Sequence, residues 1–170
     1  MLTSIALLGF VTLQRLAELV HSRRNTARLL ARGAQEVAPE HYLYMVALHA
    51  TWLVGLWLLA PARPIEAFWF AVFAVAQIGR LWVLATLKTR WTTRIIVLPG
   101  VPLVATGPYR YLRHPNYAIV AVEIAALPLA FGLPAYAIGF SVLNAIVLII
   151  RVKVENMALA TCSAFSNGFG

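Results

Sequence analysis

The chain has 170 residues, of which 61% are hydrophobic and 12% charged, with a formal net charge of +8 and a mean hydropathy of +0.79. That balance is too apolar and too thinly charged for an ordinary water-soluble domain, and the chain reads as an all-α integral membrane protein. A single cysteine, Cys162, excludes an intramolecular disulfide, and no Cys/His spacing suits a metal.

A helix needs about 20 apolar residues to cross the roughly 30 Å hydrocarbon layer, so a chain of this length has room for roughly four to six spans in one bundle. We expect about five, in a single domain covering 1–170. The first, at 2–20, is interrupted by Arg15 and Glu18, which are three apart and can pair on a helix. Its arginines follow the apolar stretch instead of preceding it, the reverse of a secretory signal, so it reads as a retained helix. Residues 21–40 carry Arg23, Arg24, Arg28 and Arg32 and suit a surface helix or loop at the headgroups.

A second span at 42–60 stops at the turn Pro61-Ala62-Arg63-Pro64. The third, at 65–87, opens on Phe68, Trp69, Phe70 and Phe73 and has Trp82 and Trp91 near its far end, the rings expected at both interfaces. Residues 88–116 hold Pro99, Pro102, Pro108 and Pro115 together with Gly100 and Gly107, which rules out a continuous helix and predicts a long functional loop. Apolar stretches at 117–131 and 134–150, joined by Gly132-Leu133-Pro134, form a C-terminal helical hairpin.

Lys and Arg accumulate on the cytoplasmic side of membrane helices. Arg23, Arg24, Arg28 and Arg32, then Lys88, Arg90, Arg94, Arg110 and Arg113, and finally Arg151 and Lys153 all fall on one side of this arrangement, whereas Arg63 falls on the other. The pattern predicts a plasma-membrane protein with its N-terminus outside and its C-terminus and long loop in the cytoplasm. These charges meet anionic lipid heads, and no soluble basic face is left for nucleic acid. Within the spans, Arg15, Glu18, Arg80 and Glu123 are costly in hydrocarbon, and interhelix pairing is expected, with Arg80 and Glu123 as a contact between spans three and four. His21, His41 and His49 have no partner spacing and read as interfacial or packing residues.

The densest polar chemistry is the run Gly107-Pro108-Tyr109-Arg110-Tyr111-Leu112-Arg113-His114-Pro115-Asn116-Tyr117. His114 precedes a proline, which biases it to an extended backbone and lets Tyr117 begin span four. Arg151 and Glu155 are four apart and share a helix face. An arginine there can pair with an anionic substrate oxygen, and a carboxylate can accept hydrogen bonds from a ribose diol; a simple helix-end ion pair is the plainer alternative. For the tyrosines and arginines of the run, anchoring at headgroups is the plainer alternative.

This run, followed one hairpin later by Arg151-x-x-x-Glu155, resembles the isoprenylcysteine carboxyl methyltransferase family over residues from about 91 to 159. The N-terminal segments Arg15-Leu16-Ala17-Glu18 and Ser22-Arg23-Arg24-Asn25 are similar to a small bacterial branch linked with type III polyketide synthases, whose members O-methylate alkylpyrones or alkylresorcinols. The resemblance implies S-adenosylmethionine as methyl donor, bound by Val101, Pro102, Leu103, Val104, Tyr109, His114, Pro115, Asn116, Tyr117 and Glu155. It implies that Arg151 faces the acceptor, a lipid-like small molecule or a prenylcysteine-like carboxylate. His114 is a candidate base for an acceptor hydroxyl.

The chain departs from the family pattern in three ways: Ile119 stands for a usual glycine, Asn156 for the second acid of an acidic pair, and residues 161–170 match nothing in it. Two other readings are kept. Membrane sterol reductases that use NADPH carry a similar arginine-histidine-proline-asparagine-tyrosine segment, usually followed by glycine and aspartate where this chain has Ala118 and Ile119. A non-catalytic membrane scaffold would use the loop only as an anchor.

Overall fold

The computed structural model describes the backbone of residues 1–167 and the side chains of residues 1–158. The Cys162 side chain and those of the tail 161–170 lie outside the described residues. The described chain is helical: α1 (Leu2–Leu30), α2 (Glu40–Leu59), α3 (Ala67–Leu87), α4 (Pro115–Ala130) and α5 (Pro134–Asn167). Two short strands, β1 (Gln35–Glu36) and β2 (Ile96–Val97), pair antiparallel with Gln35 opposite Val97.

The all-α membrane architecture is the one expected, and α1, α2, α3 and α5 are long and apolar enough to cross a bilayer. Their outward faces carry Leu13, Leu58, Val75, Ile78 and Ile138, all exposed, as lipid-facing positions should be. Three boundaries differ from expectation. Helix α1 does not end near residue 20 but continues to Leu30, so the basic stretch expected as a separate surface element is largely its last third. No glycine or proline interrupts 21–30, and Ser22, Asn25, Thr26 and Leu29 are buried there, so tertiary contacts extend the helix. Helix α5 likewise runs past 150 and carries Arg151 and Glu155 on regular helix. Helix α4 has 16 residues and rises only about 24 Å, less than a full crossing. Pro115 fixes its start, and a turn with Gly132 at φ +65° follows its end, a conformation other residues rarely take.

Helix α4 is the inner helix of the bundle, packed between α3 and α5. At its C-terminal end the interior is filled by Leu8, Trp52, Leu56, Phe73, Ile124 and Leu127. The Trp52 indole there donates to the Ile124 carbonyl at 3.3 Å, and Tyr136 donates to the Trp52 carbonyl at 2.8 Å.

Halfway along, the charges form one network. Glu123, fully buried, accepts from both Arg80 Nε at 2.7 Å and Arg80 Nη2, from Arg15 Nη2 at 2.8 Å and from Gln77 at 3.0 Å. Glu18 accepts from Arg15 at 3.0 Å, Arg80 at 3.2 Å and Gln14 at 3.0 Å. The expected Arg80–Glu123 and Arg15–Glu18 pairs are therefore two edges of a charge-balanced cluster that ties α1, α3 and α4 together. Buried ionic groups persist only when paired and hydrogen-bonded in this way.

Candidate functional site

Beyond the charge cluster the bundle opens toward the 88–114 segment. Helix α1 holds that segment in place. Asn25 donates to the carbonyls of Lys88 at 3.1 Å and Trp91 at 2.8 Å. Ser22 Oγ accepts from the Thr93 backbone N–H at 2.8 Å and lies 2.7 Å from Thr93 Oγ1. Just past α1, Glu36 pairs with Arg94 at 2.8 Å, and the Arg94 guanidinium sits 4.4 Å over the Tyr42 ring. The expected long loop is thus strapped down by β1, β2 and the end of α1.

The polar run then enters α4. Gly107 has φ +58°, and a Cβ there would collide with the Thr86 side chain, so the chain passes tightly under the end of α3. His114 occupies the position before the first residue of α4, and its ring stacks on Tyr117 with centroids 5.5 Å apart and planes 18° apart. Tyr117 donates its hydroxyl to Glu155 Oε2 at 2.7 Å. His114 Nδ1 lies 3.7 Å from the same carboxylate oxygen, and Nε2 lies 3.1 Å from Asn156 Oδ1. An amide oxygen only accepts, so His114 Nε2 carries a proton and donates to Asn156. The neutral residue standing where the family pattern has a second acid therefore orients the histidine.

Arg151 is 3% exposed, and its Nη2 donates to the Thr93 carbonyl at 2.8 Å. Its guanidinium stands 5.9 Å from the centre of the Tyr117 ring. Arg151 and Glu155 share a helix face but do not pair; each has its own partner, which removes the simple ion-pair alternative. Burial, and secondarily the charge of Glu155, pushes the Tyr109 hydroxyl up to about 12, so at neutral pH it remains a donor.

These groups line one cavity of about 450 Å³, within the range of small-molecule sites. Leu103, Val104, Tyr109, His114, Asn116, Tyr117, Arg151 and Glu155 are on its wall. Val101, Pro102 and Pro115 are not. The Pro102 carbonyl instead accepts from Arg90 at 2.9 Å, and Pro115 is buried as the first residue of α4. At its far end the same cavity reaches Arg15, Glu18, His49 and Arg80 between α1, α2 and α3.

Sequence reasoning missed the part played by α1 and α2. The signal was present: Arg15, Glu18, Ser22 and Asn25 recur at intervals of three and four, a polar stripe on one face of an otherwise apolar helix. Glu18, Ser22 and Asn25 are all buried on it.

The family model for the isoprenylcysteine carboxyl methyltransferase family matches residues 68–161, from the start of α3 through the loop, α4 and the part of α5 bearing Arg151 and Glu155. The uncharacterized protein YpbQ of Bacillus subtilis (strain 168) is 36% identical over 159 residues, covering 90% of this chain and 94% of that protein. An uncharacterized protein of Haemophilus influenzae is 30% identical over 98 residues, 52% of this chain and 51% of its own length. No solved structure matches significantly. The match spans more than half of the chain and contains both the His114–Tyr117 run and the Arg151/Glu155 pair, and the chain belongs to the isoprenylcysteine carboxyl methyltransferase family of membrane methyltransferases.

Proposed function

We propose that the protein is an S-adenosylmethionine-dependent O-methyltransferase that acts on a lipophilic acceptor at the cytoplasmic face of a bacterial inner membrane. The observation that carries this reading is the joining of the Tyr117–Glu155–His114–Asn156 network, at one end of a cavity, to apolar walls of α1 and α2 at the other. A soluble donor and a lipid acceptor can thereby meet in one cavity.

The residues present fit the donor. Glu155 is an acceptor for hydroxyl or ammonium hydrogens, Tyr109 and Tyr117 offer aromatic surface, and Asn116 Oδ1 and Arg151 Nε, both on wall residues, are buried without a hydrogen-bond partner among the described residues. Tyr109, His114, Asn116, Tyr117 and Glu155 would hold the donor, with Leu103 and Val104 beside it and Val101, Pro102 and Pro115 supporting from behind the wall. S-adenosylmethionine supplies an electrophilic methyl group on a sulfonium. The protein's task is alignment and exclusion of water, because in-line displacement gains most from holding both reactants at near-attack distance. Arg151, fixed by the Thr93 carbonyl, orients the acceptor oxygen, and no covalent nucleophile is needed.

The acceptors that suit an apolar cavity open between helices are long-chain alkylpyrones and alkylresorcinols, the lipids of type III polyketide synthase pathways, or a prenylcysteine-like carboxylate. The family match favours this reading over an NADPH-dependent reductase. Transfer of labelled methyl to a panel of these acceptors tests it, with Arg151→Ala and Glu155→Ala as inactive controls. S-adenosylhomocysteine should stabilise the purified protein and NADPH should not. Absence of transfer to every acceptor in the panel, in protein that binds the donor, overturns the proposal.

A further inference from the structure

Among the described residues, six arginines line the cavity: Arg15, Arg80, Arg90, Arg94, Arg113 and Arg151. The first two are balanced by Glu18 and Glu123, and Arg94 is held by both oxygens of Glu36. Arg90 donates to the Pro102 carbonyl at 2.9 Å, and the buried Arg151 donates to that of Thr93. Arg113 has no such commitment. Its Nη2 lies 3.5 Å from Asn156 Oδ1, longer than a usual N–H···O bond, and that oxygen already accepts from His114 at 3.1 Å. Among the described residues no carboxylate pairs with Arg113.

Glu155, one position before Asn156 on α5, is on the same wall. It accepts from the Tyr117 hydroxyl and has His114 Nδ1 at 3.7 Å, but no arginine or lysine among the described residues neutralises it. A guanidinium and a carboxylate therefore stand near each other at one end of the cavity without joining, both still short of a counter-charge. A ligand that carries both signs on one carbon satisfies the two together. The amino-acid end of S-adenosylmethionine is such a group: its ammonium has three hydrogens for a carboxylate, and its carboxylate presents two oxygens to the fork of a guanidinium. Arg113 is exposed as well as on the wall, so it marks where the cavity meets water, the side from which a soluble zwitterion enters.

We infer that Arg113 binds the carboxylate of the methyl donor, with Glu155 taking the adjacent ammonium. The inference rests on the S-adenosylmethionine reading, adds a binding residue to it and decides which hydrogens Glu155 accepts. Two charges held at two points fix the orientation of that end, which a single ion pair would leave free to swing.

Isothermal titration of the full chain in an uncharged detergent tests it, with no lipid phosphate present to compete for Arg113. The probes are S-adenosylhomocysteine, its decarboxylated analogue, which keeps the amine, and methylthioadenosine, which lacks both charges. The wild type should bind S-adenosylhomocysteine about tenfold more tightly than the decarboxylated analogue, the low end for a charge-assisted bond because Arg113 is open to screening. Rising salt should narrow that ratio. Arg113→Ala should erase it while leaving methylthioadenosine binding unchanged, and Arg113→Lys should keep part of it. Glu155→Gln should weaken both amine-bearing ligands and spare methylthioadenosine. A wild type without the carboxylate preference, an Arg113→Ala variant that retains it, or a loss in either variant shared equally by methylthioadenosine overturns the inference while the donor reading stands. A wild type that binds none of the three ligands overturns that reading and the inference with it.

Discussion

The charge cluster makes the sharpest quantitative prediction. Glu123→Gln keeps the side-chain shape but removes the charge that Arg80 and Arg15 share, and replaces one accepting oxygen by an amide that points hydrogens at guanidinium groups. The buried Arg80 and the partly buried Arg15 are then left with one carboxylate, Glu18. Each charge-assisted bond contributes about 1.5–3 kcal/mol and the losses are not additive, so the cost of breaking a buried pair, about 3–5 kcal/mol, is the expected value. For a chain of this size that lowers the melting temperature by roughly 6–20 °C. Thermal unfolding of the detergent-solubilised protein, followed by tryptophan fluorescence, measures it. The double variant Arg80→Met with Glu123→Leu removes one charge of each sign, leaves the Arg15–Glu18 pair intact and should recover most of the loss. A cost below about 1 kcal/mol for Glu123→Gln would mean that water or lipid headgroups already neutralise the cluster, and the argument from buried pairing would be wrong.

Other changes report on the site. Ser22→Ala removes the hydroxyl that holds Thr93, whose carbonyl in turn fixes Arg151; kcat for methyl transfer should fall about tenfold or more with the affinity for S-adenosylhomocysteine unchanged, and Ser22→Thr should rescue. Equal losses in kcat and donor affinity would instead indicate general loosening of the loop. Because the Tyr109 hydroxyl is raised from 10.0 to about 12, its protonated form is favoured by the fold, and the stability it contributes is present below pH 10 and lost as pH climbs toward 12. Alkaline titration of unfolding should accordingly be shallower in Tyr109→Phe than in the wild type over that window. Gly107→Ala sets a side chain against Thr86 at φ +58° and should destabilise by about 1–3 kcal/mol, checked by chemical denaturation, with Gly107→Ala in a Thr86→Ala background recovering the steric part only.

Much of the fold was legible because its signals are local. Apolar length marks a membrane helix whatever its neighbours do, and α2 and α3 fall within two residues of their expected limits. The turn at Gly132 and the start at Pro115 follow from backbone geometry alone. The end of α1 was not legible in the same way: Arg23, Arg24 and Arg28 read as headgroup residues, whereas the buried Ser22 and Asn25 beside them extend the helix through contacts with a loop some 65 to 70 residues away in sequence. In the site, Tyr117, Glu155 and His114 could be named from their motif, but not the bond between Tyr117 and Glu155 or the service of Asn156 to His114. Those depend on where α5 passes α4. His49 has no partner spacing in the sequence and reads there as an interfacial or packing residue; its partner is the carbonyl of its own preceding turn.

The pairing of Arg15 with Glu18 on one helix also bears on how the chain is made. Glu123, the residue that completes the network with Arg15, follows it by 108 positions. At about 5–20 residues per second, that separates their emergence from the ribosome by roughly 5–20 s. During that interval α1 enters the bilayer with a self-neutralised pair, since the two side chains lie 3.0 Å apart on adjacent turns. The arrangement lets the first helix wait in the membrane for partners not yet synthesised, and makes the arrival of α4 the step that commits the bundle to its final packing.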